Sequence, residues 1–290
     1  MRVNLSKIAF WTVLTIVTIW IVHPFAWMTL LSFTPEEEIL SRTPRLPSRL
    51  TLDPYFWVLG LGHLMHHHTY AVTAGTIRFE MYYFNAAVPS IFAAVVTAIL
   101  STFAGYGLAR FKSRRMDACG VFYLTMQFLP GVLLIIPWYI MFRMLHLLDT
   151  LLALAITYIA GSLPWGTWMM RSFILGLPED LEEAALIDGC TRRQVIYKIV
   201  MPLVAPGFVA VLLFTFTSGW NAYMIPLVLA MTEKSKPIAL AITELIGWYG
   251  RTYYGGIMAL CVLTTLPMCI VFVYLQKFII SGMTRGAIKA

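Results

Sequence analysis

The stretch LPEDLEEAALIDGCTRRQVIYKIVMP, Leu177–Pro202, decides how this chain of 290 residues is read. Its local chemistry describes two short helices. Pro178 suits a first helical position, and Glu179, Asp180, Glu182 and Glu183 follow where the N-terminal dipole favours anions. Gly189 suits the left-handed residue that ends such a helix. Thr191 with Gln194 is a capping-box pair for a second helix, which Pro202 is expected to close. The first helix presents Leu181, Ala184, Ala185 and Ile187, a small apolar surface among charges. Two readings stay open on these residues alone. The helix seats in a groove of a partner, or it packs on its own neighbours.

Outward from this segment the chain is apolar. Hydrophobic residues make up 59% and charged residues 12%, with a mean hydropathy of +0.77. Soluble domains carry roughly 25% charge and roughly 45–50% apolar residues. A water-soluble enzyme is excluded, and so is a disordered chain, which would be poor in apolar residues and rich in charge. Six stretches without Asp, Glu, Lys or Arg are long enough to cross a bilayer: Ile8–Pro35, Met81–Ala109, Ala118–Phe142, Thr150–Met170, Ile199–Thr232 and Thr252–Gln276. Another uncharged run, Pro54–Ile77, holds His63, His66, His67 and His68 and reads as loop. The first stretch is much longer than a signal-peptide core, and no small-residue cleavage pattern follows it, so it reads as an uncleaved anchor. The expectation is an all-α integral membrane protein with six transmembrane helices.

The net charge of +7 points to a membrane surface rather than to nucleic acid. Arg110, Lys112, Arg114 and Arg115 cluster after the second stretch. With Arg2, Lys7, Arg171, Arg192, Arg193, Lys198, Lys277, Arg285 and Lys289 they outnumber the cations of the alternate loops. By the positive-inside rule both termini are expected in the cytoplasm.

The spans carry little chemistry of their own. All 14 acidic residues fall outside them, and a carboxylate at membrane depth is what an ion-coupled carrier would use. His23, Asn85, Gln127 and Asn221 read as interhelical hydrogen-bonding residues. No His-Glu-x-x-His motif and no Gly-Lys pair occurs, so neither a metalloprotease nor a P-loop ATPase is encoded. His63–His68 has no acidic or cysteine ligand beside it and matches no standard metal spacing, so no metal site is assigned. Uphill transport by such a chain would need energy from a partner.

At Leu177–Pro202 the sequence resembles a family. Glu183-Ala184-Ala185, then Gly189, then Ile199 and Pro202, is similar to the EAA signature of permease subunits of bacterial ABC importers, with Met201 where leucine is usual. Gly105-Tyr-Gly-Leu-Ala-Arg110-Phe, Trp220-Asn221 and the tail Leu275-Gln276-Lys277 through Lys289 narrow the likeness to carbohydrate importers, and there to the smaller membrane subunit of the maltose-transporter type. The resemblance runs over most of residues 84–290, and the Leu40–Tyr83 loop fits it less well.

That resemblance implies a type I ABC importer permease fold in a bacterial inner membrane. The chain would divide into a first helix (1–35), a periplasmic loop (36–80) and a core permease region (81–290) holding the coupling loop (176–202) and a cytoplasmic tail (277–290). It implies a homologous second permease, two cytoplasmic ATPase subunits that bind ATP and magnesium, a periplasmic solute-binding protein and a sugar substrate. This chain itself would bind no cofactor and catalyse nothing. Glu182, Glu183, Ala184, Ala185, Asp188, Gly189, Ile199 and Pro202 would form the ATPase-coupling element, and Arg285 and Lys289 a tail contact with the ATPase. Asn221, Tyr223, Trp248 and Tyr249 are the residues expected on the substrate path or against the binding protein. An ATP-independent channel or carrier, and an importer of a non-sugar solute, stay open as alternatives.

Overall fold

The computed structural model describes residues 5–41, 46–65, 78–111, 113–244 and 252–286, the side chains of residues 5, 244 and 279–286 excepted. Every regular element among them is helical, as the bilayer demands of a chain that must satisfy its backbone internally. In chain order the helices are α1 (Leu5–Ser32), α2 (Glu36–Ile39), α3 (Asp53–Val58), α4 (Phe79–Arg110), α5 (Arg114–Met126), α6 (Ile135–Met144), α7 (Leu151–Leu175), α8 (Asp180–Ile187), α9 (Arg192–Val195), α10 (Ala205–Trp220), α11 (Met224–Leu229), α12 (Ile238–Glu244) and α13 (Tyr254–Gly286).

Helices α1, α4, α7 and α13 are each long and apolar enough to cross a membrane unaided. The expected third and fifth spans differ: each is a bent pair. Arg114–Met126 and Gly131–Met144 meet at 94°, and Arg192–Leu203 and Ala205–Trp220 at 75°. Pro130 explains the first bend. It lacks an amide donor and pushes Leu129 away from helical backbone, and its own ψ of 118° sends the chain out of the helix. Gly131–Leu134 then resumes as a 3₁₀ turn.

The second bend corrects the expectation that Pro202 closes the coupling-loop helix. From α9 the chain runs on through a π-helical turn, Ile196–Val200, and a last α-turn, Met201–Leu203. A π turn widens the ladder and accommodates a proline that would otherwise collide with the carbonyl four residues back. The helix therefore passes Pro202 and breaks at Val204, just before Pro206. The fifth stretch is also shorter than its uncharged run suggests. Helix α10 stops at Trp220, capped by Asn221, and only the short α11 follows.

The chain divides into two compact units, Met1–Phe79 with Ile242–Pro267, and Glu80–Ala241 with Met268–Ala290. In the first unit α1 is apolar on all sides and largely exposed. Its Thr15, Thr18 and Thr29 donate to the carbonyls of Trp11, Leu14 and Phe25 one turn back, which satisfies these hydroxyls within an apolar rod. The buried carboxylate of Glu36 caps α13, accepting from Tyr254 N at 2.9 Å and Gly255 N at 2.8 Å. Burial pushes that carboxyl above the ordinary range, and the two amide bonds pull against it. Trp57 meets Tyr253 edge to face, 5.2 Å between ring centres.

The second unit has a core built from three spans and the 176–202 loop. Ala98, Tyr106 and Ala109 of α4, Met170 and Ile174 of α7, and Val211 of α10 pack with Ala185, Val195, Val200 and Val204 from the segment between α7 and α10. The loop is thus part of the bundle's own hydrophobic core.

Candidate functional site

Helix α8 begins in a cluster of carboxylates, as its dipole favours, with Asp180, Glu182 and Glu183 in the first turn. It ends at Gly189 with φ of +85°. The capping box at the start of α9 is complete: Thr191 Oγ1 accepts from Gln194 N, and Gln194 Oε1 accepts from Thr191 N at 2.7 Å. These three local expectations hold.

The two neighbouring glutamates point in opposite senses. Glu183 is exposed, and so are Ala184, Asp188 and Gly189. Glu182 is buried at 5% exposure. Its Oε2 accepts from Tyr106 Oη at 2.6 Å and its Oε1 from Arg110 Nε at 2.7 Å. The Arg110 side chain is itself buried and spends a further donor, Nη2, on the carbonyl of Leu177 at 3.0 Å. A buried ion pair of this kind is tenable because hydrogen bonds satisfy both partners.

The same rotation corrects the apolar surface expected of α8. Ala185 is buried among the spans, not exposed beside Leu181, Ala184 and Ile187. Ile187 is 86% exposed, the most open large apolar residue of the coupling loop, and Leu181 is 46% exposed. With a period of 3.6, residues 182 and 185 share the inner face while 180, 183, 184 and 187 fall outside it. Ile199 is half-buried against the core and Pro202 is exposed.

In the sequence Tyr106 and Arg110 belonged to a family-like segment, and Arg110 to the cation cluster that sets orientation, but neither was assigned a contact with the 176–202 loop. Their i, i+4 spacing at the end of a span, on one helix face, is the signal that was available.

Away from the coupling loop, two polar side chains hold the 231–237 segment. Asp149, at φ of 60°, accepts from Met231 N and Thr232 N, each at 2.9 Å, and from the hydroxyls of Thr232 and Ser235. Burial raises the Asp149 carboxyl, but the bonds from Ser235, Thr232 and Met231 outweigh it and hold the group below its usual value. Asn85, expected to bond another helix, instead ties α4 to a turn: its Nδ2 donates to the carbonyls of Glu233 at 2.9 Å and Lys236 at 3.1 Å, between α11 and α12. Asn221 sits exposed at the break after α10 and bonds the Thr217 carbonyl of its own helix at 2.9 Å. Tyr223 precedes α11. Trp248, Tyr249, Lys289, His66, His67, His68 and the Arg285 side chain lie outside the described residues.

Known proteins agree with this architecture. Residues 98–285 match the family described as binding-protein-dependent transport system inner membrane component. The chain is 30% identical to the diacetylchitobiose uptake system permease protein DasC of Streptomyces coelicolor over 96% of both chains. It is 29% identical to the trehalose/maltose transport system permease protein MalG of Thermococcus litoralis, over 92% of this chain and 91% of that one. The fold is similar to that of a chain in the crystal structure of a bacterial ABC transporter involved in the import of the acidic polysaccharide alginate. That match has a TM-score of 0.76 at 22% identity, covering 94% of this chain and 96% of the other. The helical bundle and the match over most of its length lead to one assignment: the chain belongs to the family of binding-protein-dependent transport system inner membrane components, as a multi-pass ABC transporter permease subunit and not an enzyme.

Proposed function

We propose that the chain forms half of the translocation pathway of an ATP-driven importer for a sugar or oligosaccharide. A homologous second permease completes the pathway, and a periplasmic binding protein delivers the solute. Two cytoplasmic ATPase subunits, which bind ATP and magnesium, drive the cycle. The relatives named for diacetylchitobiose and for trehalose and maltose support the carbohydrate class. The sequence between Thr232 and Tyr254, which includes Trp248 and Tyr249, supplies aromatic and charged groups of the kind that meet sugars or a binding protein.

The observation that carries the coupling role is the exposed face of α8. A loop helix that served only its own bundle would bury its apolar side chains. Here the inner face is fixed by Glu182 and Ala185, yet Ile187 and Leu181 stand outward beside Glu183 and Asp188. An apolar tip ringed by carboxylates suits a cleft in the ATPase that offers hydrophobic walls and a basic residue. Movement of that cleft would then rock the spans as rigid bodies.

Co-purification with the ATPase subunits tests the assignment. Glu183→Arg would set like charges face to face, and removing one partner of a buried pair costs about 3–5 kcal/mol. The variant is expected to insert normally, to shed ATPase subunits and to lose ATP-dependent uptake. A reversed charge on the ATPase should restore part of it. Wild-type solute-stimulated hydrolysis in Glu183→Arg would leave this residue as one more solvated carboxylate.

A further inference from the structure

Glu182, Arg110 and Tyr106 form a buried link between the coupling loop and a membrane span, and none of the three reaches the outer face of α8. Carboxylate, guanidinium and phenol are joined at 2.6 and 2.7 Å. The same guanidinium holds the Leu177 carbonyl, one turn before α8, at 3.0 Å. Arg110 therefore grips both the approach to α8 and its first turn. Tyr106 and Arg110 stand one turn apart on α4, so the grip lies along the helix axis rather than at a single point.

We propose that Glu182, Arg110 and Tyr106 are positioning residues that make α8 and the end of α4 move as one body, so that displacement of the coupling helix is delivered to the second span. This deepens the coupling role proposed above for the exposed face, and rests on it. The division of labour follows from the geometry. Glu183 and Ile187 face outward to receive force, whereas Glu182 faces inward to pass it on.

The apolar contacts of α8 with the bundle do not do this alone. Ala185 is the fully buried apolar residue of α8 and Leu186 packs half-buried beside it, and apolar contacts of this kind are non-directional and give little resistance to sliding. Directional bonds between ionised groups resist it, because a displacement of about 1 Å takes such a bond outside its working geometry. Helix α4 is also packed tightly against α7 at Gly105. A β-carbon on Gly105 would stand 2.8 Å from Arg171 N and 2.9 Å from Met170 Cβ of α7. A pull on Arg110 therefore reaches two spans.

The experiment uses the full chain assembled with its partner permease, ATPases and binding protein, comparing Glu182→Gln, Arg110→Lys and Tyr106→Phe. Each keeps side-chain volume close to the original. Glu182→Gln removes the charge, Arg110→Lys keeps a charge but loses the fork, and Tyr106→Phe removes one hydrogen bond. Two readouts are taken. The first is solute imported per ATP hydrolysed, alongside retention of the ATPase subunits. The second is the mobility of a spin label at Ile187→Cys, in a version with Cys119, Cys190, Cys261 and Cys269 replaced by serine, measured without the ATPase.

In Glu182→Gln the ATPases are expected to stay bound while the ratio of transport to hydrolysis falls about tenfold or more, the scale set by losing charge-assisted bonds. Tyr106→Phe should fall less, and Arg110→Lys should lie between. Label mobility should rise in the same order. An unchanged transport ratio in Glu182→Gln overturns the proposal, and so does unchanged label mobility. Shedding of the ATPases by Glu182→Gln to the extent seen for Glu183→Arg would also overturn it, because Glu182 would then belong to docking. Should Glu183→Arg leave coupling untouched while mobility still rises in Glu182→Gln, the fault lies with the docking face and not with the inner link.

Discussion

A β-carbon on Gly166 of α7 would stand 2.5 Å from Ser101 Oγ of α4 and 3.0 Å from Val211 Cγ1 of α10. Three helices thus meet at one hydrogen atom. Lipid offers no hydrophobic drive for helices to associate, so close packing through small residues supplies it. Gly219 repeats the pattern further along α10, where a β-carbon would lie 2.9 Å from Ser90 Oγ and from Tyr158 Cδ2. Gly161, also on α7, has nothing among the described residues within 4 Å of that position.

The two α7 glycines make a matched pair. Alanine gains helix propensity equally at both, by about 1 kcal/mol. At Gly166 the added methyl overpacks the junction at about 1–3 kcal/mol. Thermal unfolding in detergent should therefore show Gly166→Ala less stable than wild type and Gly161→Ala equal to it or more stable. Equal effects at the two positions would mean the α4–α7–α10 junction is looser than drawn.

Asp149 predicts a pH dependence with a definite sign. Its folded pKa lies below its usual value, once burial has been outweighed by bonds from Ser235, Thr232 and Met231. A carboxylate of that kind stabilises above the unfolded pKa of about 3.9, and the contribution is lost as pH falls through the lower folded value. Below about pH 4 the 231–237 segment should loosen in the wild type. Asp149→Asn tolerates the left-handed backbone but cannot accept as a carboxylate does, so its unfolding temperature should be lower at pH 7 and change less with acid. Parallel pH profiles for the two proteins would remove Asp149 from the account.

Much of this was legible in the residues. Composition forced membrane helices, and the caps of the coupling loop were readable because each depends on two or three residues close in the chain: Gly189 at φ of +85°, Thr191 with Gln194. Two things were not. The proline rule gave the wrong stop at Pro202, because a π turn upstream changes what a proline costs. Pro24, Pro89, Pro164 and Pro267 all sit inside long helices, whereas Pro130 breaks one. Nor could composition separate Glu182 from Glu183. Which of two adjacent carboxylates turns inward depends on Arg110, 72 residues away, and on the rotation of α8 that buries Ala185.

Orientation across the membrane has a direct test. Single cysteines at Glu37, Lys234 and Arg114, all exposed positions, are placed in a chain lacking the native four. With both termini inside, the first two should react with impermeant thiol reagents in intact cells. The third should react only after lysis. Labelling of the Arg114 site from outside would reverse the cation-based assignment and place the coupling loop on the wrong side for a cytoplasmic ATPase.

Gly189 separates two costs that usually travel together. With φ of +85°, any L side chain is strained there, by roughly 1 kcal/mol or more, yet among the described residues nothing lies within 4 Å of an added β-carbon. Strain is therefore the whole effect on the isolated subunit, and asparagine tolerates this backbone better than alanine. Thermal stability should run wild type, then Gly189→Asn, then Gly189→Ala. Uptake by the assembled importer should invert the two variants, because a cleft closing on α8 rejects the larger side chain. If uptake instead follows stability, Gly189 serves only to turn the chain, and the partner's wall does not come within reach of it.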